Sequence, residues 1–201
     1  MIKVSDLSKI IDKKTILHNI NISFEKGKIY GIVGRNGCGK TMFLRAICGL
    51  ITPTKGMVEY KHDTAFGALI ESPGFMFEHS GLFNLQYLAS LNNKVDNATL
   101  ITLLKEFDLY EARNKAVKKY SLGMQQKLGI IQAIMERPDV ILLDEPFNAL
   151  DKDSLEFVKK KLEYIKSEGE TIIILASHDK STVDEICDEL INMEEGTIVS
   201  S

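Results

Sequence analysis

Eight consecutive residues, Gly34-Arg35-Asn36-Gly37-Cys38-Gly39-Lys40-Thr41, meet every fixed position of the phosphate-binding loop written G-x-x-x-x-G-K-[ST]. In such a loop the glycines let the backbone curl until successive N–H groups point at one anion. The N-terminus of the helix that follows adds roughly half a positive charge. Lys40 is placed to reach the β- and γ-phosphates of a nucleotide, and the Thr41 hydroxyl to ligate Mg²⁺. A Gly-rich turn could match by accident, with odds on the order of one per cent at the usual Gly frequency of about 7%. The flanks lower those odds. Lys28-Ile29-Tyr30-Gly31-Ile32-Val33 suits a strand and Met42-Phe43-Leu44-Arg45-Ala46-Ile47-Cys48 suits a helix, which is the setting the motif requires.

The acidic partners of such a site stand far downstream. Val140-Ile141-Leu142-Leu143 is fully apolar and runs into Asp144-Glu145, the pattern of a buried parallel strand that delivers carboxylates at its C-terminal edge, where α/β folds bind ligands. Asp144 is a candidate Mg²⁺ ligand, because an unpaired carboxylate buried there would be costly. Glu145 is a candidate for orienting and polarising an attacking water, work worth about 10²–10⁴-fold in rate. A second apolar strand over residues 171–176 ends at Ser177-His178 and puts His178 at the same edge. A lone histidine is more often a satisfied core residue, so the weight on His178 comes from the order of the motifs around it. His18, His62 and His79 have no such setting, and the run Lys159-Lys160-Lys161 reads as a solvated helix face. Cys38 lies beside a lysine and a helix N-terminus, two features that lower a thiol pKa, which makes it the expected reactive cysteine. Cys48 and Cys187 fall on helices, where burial is the expected fate.

Composition bounds what can surround these groups. A chain of 201 residues, 44% of them hydrophobic, can bury a sizeable core as one domain. A net charge of −3 gives no electrostatic reason to expect nucleic acid or an anionic membrane surface as a partner. Three cysteines, an odd number without metal-ligand spacing, suit free thiols in a reducing compartment. The first residues lack the apolar core of a signal peptide, and no apolar run approaches the ~20 residues needed to cross a bilayer. A cytoplasmic location follows as an expectation.

The elements that must position the site read as follows. Residues 2–7 and 15–24 suit strands, the second alternating Ile20, Ile22 and Phe24 with Asn19, Asn21 and Ser23, and Asp12-Lys13-Lys14 turns between them. Residues 56–61 and 64–70 suit two further short strands. Ser80 can cap a helix carrying Leu82, Leu85, Leu88, Ala89 and Leu91, and Asn97 a second with Leu100, Leu103, Leu104 and Phe107. Ser121 stands where a cap belongs for a helix that Pro138 stops. An amphipathic helix with Leu155, Val158, Leu162 and Ile165, a helix with Val183, Ile186 and Cys187, and a hairpin turning at Glu194-Glu195-Gly196 complete the chain.

Five motifs in one order give a resemblance along essentially the whole length. The phosphate loop at 34–41, Ser121-Leu122-Gly123-Met124-Gln125, the acidic strand at 140–145, Ala149-Leu150-Asp151 and His178 resemble the ATP-binding subunit of an ABC transporter. Tyr120-Ser121-Leu122-Gly123-Met124 and Leu69-Ile70-Glu71-Ser72-Pro73-Gly74-Phe75 are similar to ATPases that serve antibiotic-peptide, bacteriocin-immunity and multidrug exporters. The resemblance implies an α/β fold: a P-loop NTPase core with a mostly parallel sheet, an N-terminal antiparallel β subdomain and a helical subdomain inserted at about 74–137. It further implies ATP and Mg²⁺ as ligands. Catalysis would fall to Glu145, His178 and Lys40, and metal binding to Thr41, Asp144 and Glu71. Ser121 and Gly123 would face the γ-phosphate held by a second copy, so the catalytic unit is expected to be a dimer, a homodimer in the simplest case. An integral membrane permease on a separate chain would hold that dimer at the inner face of the membrane.

The sequence departs from the family pattern at three places. Leu122 replaces a glycine of Leu-Ser-Gly-Gly-Gln, Glu71 stands where the family has glutamine, and Ile11 takes the place of the aromatic residue that stacks on adenine. Three other classes remain open on sequence alone: a soluble ABC-type ATPase without a permease, acting in DNA repair, translation or regulation; a small-molecule P-loop kinase; and an inactive nucleotide sensor. The first usually carries two cassettes or a long coiled coil. The second would lack the Ser121 motif and His178, and Lys40, Asp144 and Glu145 argue against the third.

Overall fold

The computed structural model describes residues 1–71, 73–92 and 94–199. Ser72, in the segment that carries the narrower resemblance, lies outside the described residues. Alternating apolar residues build the first sheet. β1 (Ile2–Ile11) buries Ile2, Val4 and Leu7, and β2 (Lys14–Phe24) buries Leu17, Ile20 and Phe24, so each strand commits one face to the core. They pair antiparallel from Ile2 opposite Phe24 to Ile11 opposite Lys14. The turn is Asp12-Lys13, both at positive φ (48° and 65°), the backbone sign that matches strand twist in a two-residue hairpin. β4 (Lys55–Glu59) pairs antiparallel with the other edge of β1, giving the order β2-β1-β4.

The second sheet is the scaffold of the site. β3 (Lys28–Val33), β5 (Phe66–Leu69), β6 (Val140–Asp144), β7 (Ile172–Ser177), β8 (Glu189–Glu194) and β9 (Thr197–Val199) stand in the order β5-β6-β7-β3-β8-β9. All neighbours are parallel except β8 and β9, which meet across a turn at Glu195-Gly196. The unbroken apolar runs are explained by burial on both faces. Ile141, Leu143, Ile173 and Leu175 face one cluster with the helices, while Val140, Leu142, Ile172, Ile174 and Ala176 face the other with β1 and β2. On the second face lies α1 (Lys40–Ile47), through Phe43, Leu44 and Ile47.

Between β5 and β6 the chain forms α2 (Gly81–Asn92), α3 (Asn97–Glu106), a 3-10 turn (Val117–Lys119) and α4 (Leu122–Ile134). The Ser80 hydroxyl accepts from Phe83 N–H at 3.1 Å and the Ser121 hydroxyl from Met124 N–H at 3.2 Å, as capping residues do. For α3 the cap is Asp96, which accepts from Thr99 N–H at 2.8 Å, while Asn97 is already helical. α5 (Lys152–Ser167) is capped by Asp151 and α6 (Lys180–Asp184) by Asp179; Ile186 and Cys187 lie beyond the end of α6. The lysine run is not a uniform solvated face. Lys159 is 5% exposed and paired with Glu185 of the α6 side, and Lys161 bonds Glu106 of α3 at 2.7 Å, so two of the three lysines tie α5 to its neighbours.

Candidate functional site

The phosphate loop closes between the end of β3 and the start of α1. At Gly34 a Cβ would stand 2.3 Å from the Met193 carbonyl oxygen, so any side chain would force the loop off β8. At Gly39 φ is 114°, a conformation open to glycine, and that residue brings the chain into α1. Among the described residues no side chain caps α1, whereas α3, α4, α5 and α6 each have one. The first N–H groups of α1 are therefore left to an incoming anion. Lys40 is 5% exposed. Its ammonium donates to the carbonyls of Gly34 (2.7 Å) and Arg35 (3.3 Å) and stands 3.7 Å from Glu145 Oε1.

Parallel register brings the carboxylates to the same place. Asp144 pairs with Ala176 across β6 and β7, so Glu145 and Ser177-His178 leave the sheet side by side. The Thr41 hydroxyl donates to Asp144 Oδ2 at 2.6 Å. Asp144 Oδ1 is buried with no hydrogen-bond partner among the described residues. Burial pushes the Asp144 carboxyl above the usual carboxylate range, against the pull of the Thr41 hydrogen bond, while the charge of Glu145 adds to the rise. Glu145 adopts φ 49°, and this positive φ turns its carboxylate toward the end of β7. There Oε1 accepts from His178 N–H at 2.9 Å, and Oε2 meets Ser177 Oγ at 3.3 Å and His178 Nδ1 at 2.9 Å. Lys40, Thr41, Asp144, Glu145 and His178, expected from sequence to act together, are brought together here.

The remaining expected residues fall in different places. Arg35, Asn36 and Gly37 are exposed at the mouth of a cleft of about 950 Å³ that His178 also lines. His18 and Asn192 line the same cleft; nothing in the sequence around His18 marked it, because it reaches the cleft from the first sheet. Cys38 corrects an expectation: its residue is 8% exposed, and its sulfur lies 2.7 Å from where a Gly34 Cβ would be, inside the cluster with Tyr30, Ile32 and Phe43. The thiol packs toward the core, at the wall of the same cleft. The Glu71 carboxylate is paired with Arg45 of α1 at 2.7 Å, on the phosphate-loop helix. Ile11 ends β1 and is 39% exposed. Ser121 and Leu122 are exposed at the start of α4, Leu122 at 73%, and Gly123 is half-buried against Ala149.

A model of the ABC transporter family matches residues 17–148. The ABC transporter ATP-binding protein YybJ of Bacillus subtilis is 40% identical, over 100% of this chain and 96% of its own. The bacitracin transport ATP-binding protein BcrA of Enterococcus faecalis is 36% identical over 99% of this chain and 68% of its own, and the lantibiotic transport ATP-binding protein SrtF of Streptococcus pyogenes is 34% identical over 99% and 89%. A solved ATP-binding subunit of an ABC transporter superposes with a TM-score of 0.90 at 25% identity, covering 100% of this chain and 88% of that one. The dimeric cassette MJ0796 superposes with a TM-score of 0.89 at 22% identity, covering 100% and 97%. The chain belongs to the ABC transporter family, as one of its ATP-binding members. The α/β fold with an antiparallel first sheet and a mostly parallel second is the fold of those cassettes.

Proposed function

We propose that this chain hydrolyses ATP and thereby drives a membrane permease carried on a separate chain, which exports an antimicrobial peptide or a drug-like compound. The observation that carries the reading is the Glu145 carboxylate, oriented by Ser177 and His178 and standing 3.7 Å from the Lys40 ammonium at the mouth of an uncapped helix. The substrate class rests on the relatives named for bacitracin and lantibiotic transport.

Residues 34–41 would wrap the phosphates, with Lys40 exchanging its carbonyl partners for phosphate oxygens. Glu145 would take the proton of the attacking water, and His178, on Glu145 Oε2, would hold that carboxylate in line. The donors at Thr41 and Asp144 are hard oxygens, one of them buried and unpartnered among the described residues, and fit Mg²⁺. When bound, Mg²⁺ would neutralise charge on the phosphates. Ile11 would meet adenine by apolar contact alone. The exposed start of α4 suits a role toward a second copy, with Ser121 and Gly123 facing the γ-phosphate held there; the MJ0796 cassette, of the same fold, is dimeric. Residues 74–137 would then pass closure of the dimer to the permease. Among the described residues no helix is long and apolar enough to cross a membrane.

Glu145→Gln tests the reading. It removes the base and keeps the shape. Phosphate release should fall by at least about 10²-fold while ATP binding persists, and size-exclusion chromatography with MgATP should show a trapped dimer. Turnover at the wild-type rate would overturn the assignment.

A further inference from the structure

Two adjacent glutamines open α4, and they do different things. Gln125 folds back on its own helix end, donating to the Tyr120 carbonyl at 3.2 Å. Gln126 reaches across to the acidic strand, where its Nε2 donates to the backbone carbonyl of Glu145 at 3.1 Å. A carbonyl oxygen only accepts, so the amide nitrogen must be the group that faces it. One turn earlier on the same helix face, Gly123 meets the other end of the same loop: a Cβ there would stand 2.6 Å from the Ala149 carbonyl oxygen. Glu145 and Ala149 are both non-glycine residues at positive φ, 49° and 62°. Such backbone persists where its surroundings hold it. Here the surroundings are an internal bond from Asn148 N–H to the Glu145 carbonyl (3.2 Å), the Glu145 N–H bond to Ala176 (2.8 Å), and α4.

We propose that Gln126 is a positioning residue for Glu145. With Gly123 it grips the 145–149 loop from α4 of the same chain and fixes the peptide whose rotation would swing the Glu145 carboxylate off Ser177 and His178. The inference rests on Glu145 being the base, and it adds a role within one chain to a helix start otherwise assigned to a second copy. α4 and the base then move as one body. Any displacement of the helical segment reaches Glu145 through this bond, with no contact to nucleotide needed.

Three variants of the full chain test it by ATPase kinetics and ATP binding: Gln126→Met, which keeps length and loses the donor; Gln126→Asn, which is too short; and Gln126→Glu, which puts an acceptor against an acceptor at neutral pH. The expected result is a kcat loss of about tenfold to a hundredfold in all three, of the size that misplacing a reacting group produces. KM for ATP and ATP affinity should stay unchanged. As pH falls from about 7 toward the ordinary glutamate pKa of about 4.3, the rate of Gln126→Glu relative to wild type should climb, because the introduced carboxyl regains a proton to donate, while that of Gln126→Met stays flat. Wild-type kcat in Gln126→Met overturns the proposal, as do parallel pH profiles for the Met and Glu variants. Glu145→Gln run alongside keeps the two failures apart: turnover surviving there strikes the base assignment, whereas turnover lost there and intact in Gln126→Met strikes the tether alone.

Discussion

Thr41 and Asp144 share one hydrogen bond across the first turn of α1 and the end of β6, made at Oδ2, and leave Asp144 Oδ1 buried with no hydrogen-bond partner among the described residues. A buried polar atom left unsatisfied works against folding, and for a charged one the cost is larger. Asp144 is therefore maintained against the stability of the chain by itself. The fold raises its pKa, chiefly by burial, so it favours the neutral acid. That contribution is fully present below the unfolded-state pKa and is lost as pH rises through the raised folded-state value.

Asp144→Asn should consequently stabilise the protein in the absence of nucleotide at neutral pH. In a chain of this size each kcal/mol gained appears as about 2–4 °C in Tm. The gain should shrink as pH is lowered into the acid range, where wild-type Asp144 is neutral as well. Added MgATP should raise the Tm of the variant less than that of wild type, because a hard oxygen ligand has gone. Scanning calorimetry at two pH values, with and without MgATP, checks both halves. A lower Tm in the variant together with an undiminished MgATP increment would overturn the account.

Glu71 leads to a different expectation from the one its position suggests. Its partner is Arg45, one helical turn beyond Thr41, and the two side chains are 56% and 32% exposed. Exposed pairs of this kind contribute little. A double-mutant cycle with Glu71→Gln and Arg45→Gln should give a coupling of about 0.2–1 kcal/mol that weakens with salt. Glu71→Gln should leave the Mg²⁺ dependence of ATP hydrolysis unchanged. Zero coupling combined with a weaker Mg²⁺ response would return Glu71 to the metal side.

What the sequence disclosed about this site was whatever is written locally. Residues 34–41 are contiguous, the apolar run into Asp144 announces a strand buried on both faces, and alternation marks β1 and β2. Pairings across distance were not written. That His178 lies on Glu145 follows from β6 and β7 being neighbours in parallel register, and no spacing along the chain encodes that order. The Gln126 bond was hidden for the same reason, since a helix face and a strand end must first be packed together. The local rules themselves failed where tertiary packing outvoted them. Lys159 carries its charge into the groove between α5 and Glu185, although its neighbours in sequence suggested solvent. Asp96 displaced Asn97 as a cap by a single residue, a margin that side-chain chemistry does not resolve, because both residue types cap well.

The cysteines show how far geometry can reverse a sequence-based expectation. Neighbours alone make Cys38 the reactive thiol, since it adjoins a helix N-terminus and a lysine. In the fold its sulfur packs toward Gly34 and the core and the residue is 8% exposed at the wall of the cleft, which leaves an alkylating reagent little room to approach. Cys48 and Cys187 are both half-buried. Burial pushes the Cys48 thiol up, and burial with the charges of Asp188 and Asp184 pushes Cys187 up to about 12. At neutral pH the reactive thiolate of Cys187 is then scarce, on the order of one part in 10⁵. Brief N-ethylmaleimide treatment of the native protein followed by peptide mapping should give slow labelling throughout, far slower than in denaturant, with Cys48 modified first. MgATP should leave the Cys48 rate unchanged, because that thiol sits at the far end of α1 beside the Arg45 carbonyl. Rapid labelling of Cys38, suppressed by MgATP, would instead place that thiol facing the phosphates and reverse the orientation described above.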